Sequence, residues 1–114
     1  MTEIHTMTRF GGVDPSDVDE FRRLVGEGVG RVAGEPGTLQ YEWFASGDGT
    51  SFVATETFAD SDAVLAHAAN VGDLVGRWSE LSDSVDVEIF GAPSDDLRAA
   101  LVAMAPTVYA PVTG

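Results

Sequence analysis

The chain has 114 residues, 44% of them hydrophobic, which is enough for one core and leaves no room for a second domain. Nineteen acidic side chains face six basic ones, all arginine, and the net charge of −13 argues against nucleic-acid or membrane-surface partners, whose phosphates it would repel. Lysine and cysteine are absent, which excludes Schiff-base chemistry, thiolate nucleophiles, disulfides and cysteine metal sites.

Residues 1–10 carry neither a basic start nor an apolar run of signal-peptide length, and nowhere do about 18 apolar residues run together. A soluble, cytoplasmic protein is therefore expected. Residues 3–10 alternate as a strand, with Ile4, Thr6, Thr8 and Phe10 on one face and His5, Met7 and Arg9 on the other. Gly11 and Gly12 end it. Asp14 then reads as a helix N-cap with Pro15 at the first helical position. From there Val18, Phe21, Val25, Val29 and Val32 recur at helical spacing as an amphipathic stripe. Gly26, Gly28 and Gly30 each cost such a helix about 1 kcal/mol relative to alanine, and close packing on a sheet or partner is the simplest account of them. A phosphate cradle does not fit, because these glycines lie late in the helix and no lysine accompanies them.

Glu35, Pro36 and Gly37 form a turn. Residues 38–46 follow as a second strand with Leu39, Tyr41 and Trp43 on one face. Gly47, Asp48 and Gly49 mark a hairpin, and residues 51–58 return as its antiparallel partner. Asp60 starts a second helix that is expected to pause or kink near Gly72 and Asp73 before resuming through Ser79. Residues 85–90 make a fourth strand with Val85, Val87 and Ile89 inward. Ser94 to Asp96 cap a short helix over residues 97–104, and the apolar last ten residues read as extended.

The order strand, helix, strand, strand, helix, strand is the ferredoxin-like βαββαβ arrangement, an α+β fold with an antiparallel sheet and both helices on one face. One domain over residues 1–114 is expected, its core at about 3–92, with the helix and extended tail at 94–114. Strands two and three carry bulky residues on both faces, Tyr41 and Trp43 opposing Phe44, and Phe52 and Phe58 opposing Val53. An uncovered second face would then be an apolar patch, which a two-fold, sheet-to-sheet homodimer would cover.

The position with most chemical content is His67. Val64, His67, Ala68, Val71, Val75 and Trp78 fall on one side of helix two, so the imidazole points at the sheet. It is either a buried neutral ring with one hydrogen-bond partner or a pocket-lining general base or donor. Glu56, amid the apolar residues 52–58, needs a partner if it faces inward and is the second acid–base candidate; an exposed strand-face glutamate is the other reading. Asn70, one turn beyond His67, borders the expected pocket. Tyr41, Trp43 and Trp78 serve either as core or as an aromatic cavity wall. No metal-ligand spacing and no Ser/His/Asp arrangement is present.

Three stretches carry a family likeness: Pro36-Gly37-Thr38-Leu39-Gln40-Tyr41-Glu42-Trp43, the passage from Glu56, Thr57 and Phe58 through Asp60 to His67, and Val85-Asp86-Val87-Glu88-Ile89-Phe90-Gly91. Across about residues 3–100 the chain resembles the antibiotic biosynthesis monooxygenase superfamily, including its quinol monooxygenases. The resemblance implies subunits that pair their sheets into a dimeric α+β barrel, with the pocket between sheet and helices. It also implies oxygenation of quinols or polyphenols without metal, flavin or other cofactor, the substrate anion itself reducing O₂. His67 matches the family's helix-two histidine as base or hydrogen-bond partner, with Tyr41, Trp43, Glu56, Phe58, Asn70 and Trp78 around a small aromatic ligand. Phe58 stands where many members place tryptophan, and strand one lacks the asparagine that haem-degrading relatives require.

Two functions are therefore expected in competition. One is a cofactor-independent monooxygenase acting on a small phenolic or quinol-type substrate. The other is a non-catalytic, dimeric small-molecule-binding or accessory protein of the same fold.

Overall fold

A computed structural model describes residues 2–113; Met1 and Gly114, the ends of the expected domain, lie outside the described residues. Strand β1 (Ile4–Gly11) buries Ile4, Thr6 and Phe10 and exposes His5 and Arg9, as its alternation requires. Asp14 accepts from the backbone N–H and the hydroxyl of Ser16 and caps a single 3₁₀ turn, Pro15–Asp17. Helix α1 (Val18–Val32) starts only after that turn.

The buried stripe of α1 is Phe21, Leu24, Gly28 and Val32, rotated from the expected valine line, and Val29 is half exposed. In its middle turns the helix presents the Gly28 backbone, rather than Val29, to the core. A Cβ on Gly28 would stand 3.1 Å from Trp78 Cη2 and 3.2 Å from the Tyr41 hydroxyl oxygen. Close packing thus accounts for Gly28 alone, since Gly26 and Gly30 look onto open space.

Strands β2 (Thr38–Ala45) and β3 (Phe52–Phe58) form the expected hairpin. Asp48 fixes the turn by accepting from the Ser46 hydroxyl and from the N–H and hydroxyl of Thr50, with Gly49 at φ +76°. A register shift between Thr38 and Gln40 pushes Leu39 out to 56% exposure, so Leu39 does not join Tyr41 and Trp43 on the inner face. Helix α2 (Ser61–Glu80), capped by Asp60 accepting from the Ala63 N–H, runs through Gly72 without a break. Burial of Val71, Leu74 and Trp78 on either side of Gly72 outweighs the propensity cost of one glycine.

Strand β4 (Ser84–Phe90) pairs antiparallel with β1, which also pairs antiparallel with β3. Beyond it, Ser94 caps α3 (Asp95–Ala100), which gives way to a 3₁₀ turn at Val102–Met104 rather than continuing as one helix. The tail then adds a fifth strand, β5 (Thr107–Tyr109), parallel to β4. The sheet order is β2-β3-β1-β4-β5, so the α+β, ferredoxin-like core carries a mixed sheet, antiparallel except at this edge.

One face of the sheet meets the long helices around an aromatic group. Trp78 is 1% exposed, its ring centroid 4.8 Å from that of Trp43 and 6.0 Å from that of Phe10, and its N–H donates to the Phe21 carbonyl. The opposite face mixes polar and apolar groups. Gln40 bridges Glu42, Thr55 and Thr57, His5 contacts the Thr57 hydroxyl, and Arg9 pairs with Glu88, beside a half-exposed Phe44 and a half-exposed Tyr109 stacked on Phe90. Among the described residues no helix is long and apolar enough to cross a membrane.

The glycines of α1 supply a test. Gly26→Ala and Gly30→Ala are each expected to raise stability by about 0.5–1 kcal/mol. Gly28→Ala is expected to forgo that gain, because its Cβ would stand 3.1 Å from the Trp78 indole and 3.2 Å from the Tyr41 hydroxyl and must push them toward the cavity. Urea unfolding of the three variants at constant m-value checks the contrast.

Candidate functional site

The inward stripe of α2 sets His67 between Val64 and Val71, facing β3. On β3 the inward residues are Phe52, Ala54, Glu56 and Phe58, so a carboxylate stands among apolar neighbours. Burying such a group is costly unless its oxygens are satisfied, and both are. Thr6, the register partner of Glu56 on β1, donates its hydroxyl to Oε1 at 3.0 Å. His67 Nε2 lies 2.8 Å from Oε2.

The other ring nitrogen of His67 is also engaged. Nδ1 is 2.9 Å from Oε1 and 3.2 Å from Oε2 of Glu35, in the turn between α1 and β2. Glu35 is fixed in turn by the Thr38 hydroxyl at 2.5 Å and by Asn70 Nδ2 at 2.7 Å. The side chains of Glu35 and His67 are each 10% exposed and that of Glu56 is 8% exposed. One imidazole thus sits between two buried carboxylates.

That geometry decides its charge. Burial disfavours an imidazolium, yet the hydrogen bonds and negative charges of Glu56 and then Glu35 outweigh it and raise the His67 pKa. For Glu35 burial acts to raise the pKa, but donation from Thr38, Asn70 and His67, with the charge of His67, leaves it below the ordinary carboxylate range. A doubly protonated ring satisfies both carboxylates at once, one N–H to each.

Between the sheet and α2 lies a cavity of about 90 Å³. Tyr41, Trp43, Glu56, Phe58, His67 and Trp78 all line it, and Leu101 and Met104 of the C-terminal segment close one wall. The Tyr41 ring meets His67 edge-on with centroids 5.6 Å apart, and Phe58 lies 5.1 Å from it. Burial, with the Glu56 and Glu35 charges added, pushes the Tyr41 phenol up to about 12; the indole N–H of Trp43 acts in the opposite direction. That buried N–H lacks the alignment of a hydrogen bond to any partner.

Asn70 does not line this cavity. It is exposed in an outer cleft with Arg31 and Glu35, on the far side of His67, where it holds Glu35. The sequence reading missed Glu35, Thr6 and Thr38. Thr6 carried a signal, since it shares the inward face of β1 with Ile4 and Phe10. Glu35 carried none, because it meets His67 only through the packing of α1 against α2. The two carboxylates grip opposite edges of the ring rather than converging on a common point, and among the described residues no cluster of metal-binding side chains occurs.

The family model for the antibiotic biosynthesis monooxygenases matches residues 4–72, more than half of the chain and a span that contains Thr6, Glu35, Glu56 and His67. The chain belongs to the antibiotic biosynthesis monooxygenase family. No curated protein matches it in sequence. Among solved structures it is similar to MupZ from Pseudomonas fluorescens, with 22% identity, a TM-score of 0.86, and coverage of 100% of this chain and 93% of that one. It is also similar to SnoaB, a cofactor-independent oxygenase from Streptomyces nogalater, at 22% identity and a TM-score of 0.67, covering 82% of this chain and 96% of that one. Rv0793 from Mycobacterium tuberculosis matches at 23% identity and a TM-score of 0.70, over 82% and 97%. At these identities the likeness speaks for the fold.

The charged bridge predicts a pH profile. The folded pKa of His67 lies above its unfolded value of 6.5, so its contribution is complete below 6.5 and is lost as pH rises through the raised value. The folded pKa of Glu35 lies below 4.5, so its contribution is complete above 4.5 and is lost as pH falls through the lowered value. The stability difference between wild type and His67→Ala is expected to reach about 3–5 kcal/mol between these limits and to shrink on both sides. Urea midpoints measured from about pH 2.5 to 9 check it; a flat difference would sink the idea.

Proposed function

We propose that this family member is a cofactor-independent monooxygenase that takes a small phenolic or quinol-type substrate into the inner cavity. The observation that carries the reading is the single carboxylate, Glu56, that lines a mostly aromatic and aliphatic space with an imidazole bonded to it. A volume of about 90 Å³ suits a one-ring ligand better than a fused-ring one. Because carboxylates occupy both nitrogens of His67, the base that meets the substrate is Glu56, and His67 is its cationic partner.

Proton transfer from a phenol to a carboxylate is uphill by about 6 pH units in water. Two features offset this. The imidazolium next to Glu56 stabilises the phenolate as it forms, in a site with little water to screen it. Loss of an electron from the phenolate to O₂ then draws the proton transfer forward. One oxygen atom goes to the ring carbon and the other leaves as water, so a hydroquinone gives a hydroxyquinone and no outside reductant is needed. Tyr41, held neutral, and the walls of Trp43, Phe58 and Trp78 orient the ring and exclude water. Residues 1–114 would act as one domain, working in the cytoplasm as a homodimer paired through the sheet face that carries Phe44. Light scattering should then give twice the chain mass.

O₂ uptake over a panel of hydroquinones and anthrone-type phenols tests the reading, with one-ring substrates expected to turn over best. Glu56→Gln is expected to lower kcat/KM by about 10²–10⁴. Uptake unaffected by that change would remove Glu56 from the chemistry. No uptake from any substrate, with a ligand-dependent rise in Tm, would favour the non-catalytic binding protein instead.

A further inference from the structure

Glu35 stands outside the cavity, yet it makes the most direct charged contact with the far edge of the ring that the cavity base depends on. We infer that Glu35 is a positioning residue: by holding Nδ1–H of His67 from the outer cleft, it adds to the hold of Glu56 on the imidazolium form and so helps Glu56 meet its ligand beside a cation. This rests on the reading of Glu56 as the cavity base.

The geometry is directional. Glu56 lines the inner cavity and Glu35 the outer cleft, so the imidazole spans the wall between two separate spaces. Each ring nitrogen has its own carboxylate, Nε2 facing inward and Nδ1 outward. Glu35 is also provisioned to remain an anion without an arginine. Its oxygens accept from Thr38, Asn70 and His67, while Arg31, in the same cleft, is taken up by Asp73 and Glu27. Among the described residues, then, His67 is the cation that Glu35 pairs with. A carboxylate so placed does more than tie α2 to the turn, because a neutral hydrogen-bond acceptor would serve that purpose without fixing the charge of the ring.

The groups facing His67 are few. Glu56 comes from β3, Glu35 from the α1–β2 turn and Tyr41 from β2, whose phenol burial pushes up to about 12. Arg31 of α1 reaches the Asn70 carbonyl rather than the ring. No other charged side chain of the described residues bonds to the imidazole, so loss of the Glu35 charge has no ready substitute.

The test is Glu35→Gln, which keeps the shape and removes the charge. The imidazole titration of His67, followed by NMR on the protein without substrate, is expected to fall by about one pH unit or more relative to wild type. Glu35→Asp, which keeps the charge but withdraws it by one methylene, is expected to fall between the two. An unchanged His67 midpoint in Glu35→Gln overturns the inference, even if the variant is less stable, since a purely structural tie would alter stability and leave the titration in place. Should Glu35→Gln fail to fold, a Glu35→Asp midpoint equal to that of wild type overturns it. Because these titrations need no turnover, they are decided separately from whether the chain consumes O₂. With a substrate in hand, the alkaline limb of kcat/KM, where His67 gives up its proton, is expected to move to lower pH in Glu35→Gln, and an alkaline limb that stays in place beside a lowered His67 midpoint also overturns the inference.

Discussion

A histidine between two buried carboxylates constrains everything around it. Three ionisable groups leave water together only if their charges and hydrogen bonds close on one another, and here they close across three parts of the chain. Glu56 fixes the inner face of β3, His67 the middle of α2, and Glu35 the turn that follows α1. The bridge therefore sets how α2 and the α1–β2 turn approach the sheet. The cavity is the space left beside that polar corner, between the bridge and the Trp43–Trp78 contact.

The same arrangement gives the cavity a polarity. Most of its lining is aromatic or aliphatic, and its charge is confined to one end. Under the proposed function, a ligand with one ionisable hydroxyl would be oriented by that end and held elsewhere by surface alone. The strongly acidic exterior is a separate matter. The interior sets one imidazole, its pKa raised, against two carboxylates, and the exposed arginines attend to acids on the surface, such as Glu20, Asp73 and Glu80.

Much of this could be read from the residues in order. Alternation in β1 and β3 and the helical spacing of Val64, His67, Val71 and Trp78 placed the imidazole and the aromatic wall on one side of the sheet. What resisted reading has physical causes. Gly28 lies on the buried stripe of α1 but does not count as apolar, so the valines misdirected the helix by a fraction of a turn. Gly72 looked like a break because its local cost is visible in sequence and the packing that outweighs it is not. Three residues of β5 carry no period of their own and become a strand only because β4 offers an open edge. The polar partners on the outer face, Gln40 with Thr55 and Thr57, are remote in sequence and so were hidden behind the bulk of Phe44. Glu35 is the extreme case: it lies 32 positions from His67 and its meaning comes entirely from tertiary packing.

The cavity walls have two different sources. Thr6, Glu35, Glu56 and His67 all lie in the span that matches the family, which ends at residue 72. Trp78, Val87, Leu101 and Met104 come from beyond it. The polar corner and the Tyr41, Trp43 and Phe58 side of the wall thus share one stretch of the gene, while the later stretch supplies the Trp78 side and the Leu101–Met104 closure. Drift or recombination in the later stretch can re-cut that side of the space without disturbing the charged corner. Descendants of such a chain would diversify first on that one wall.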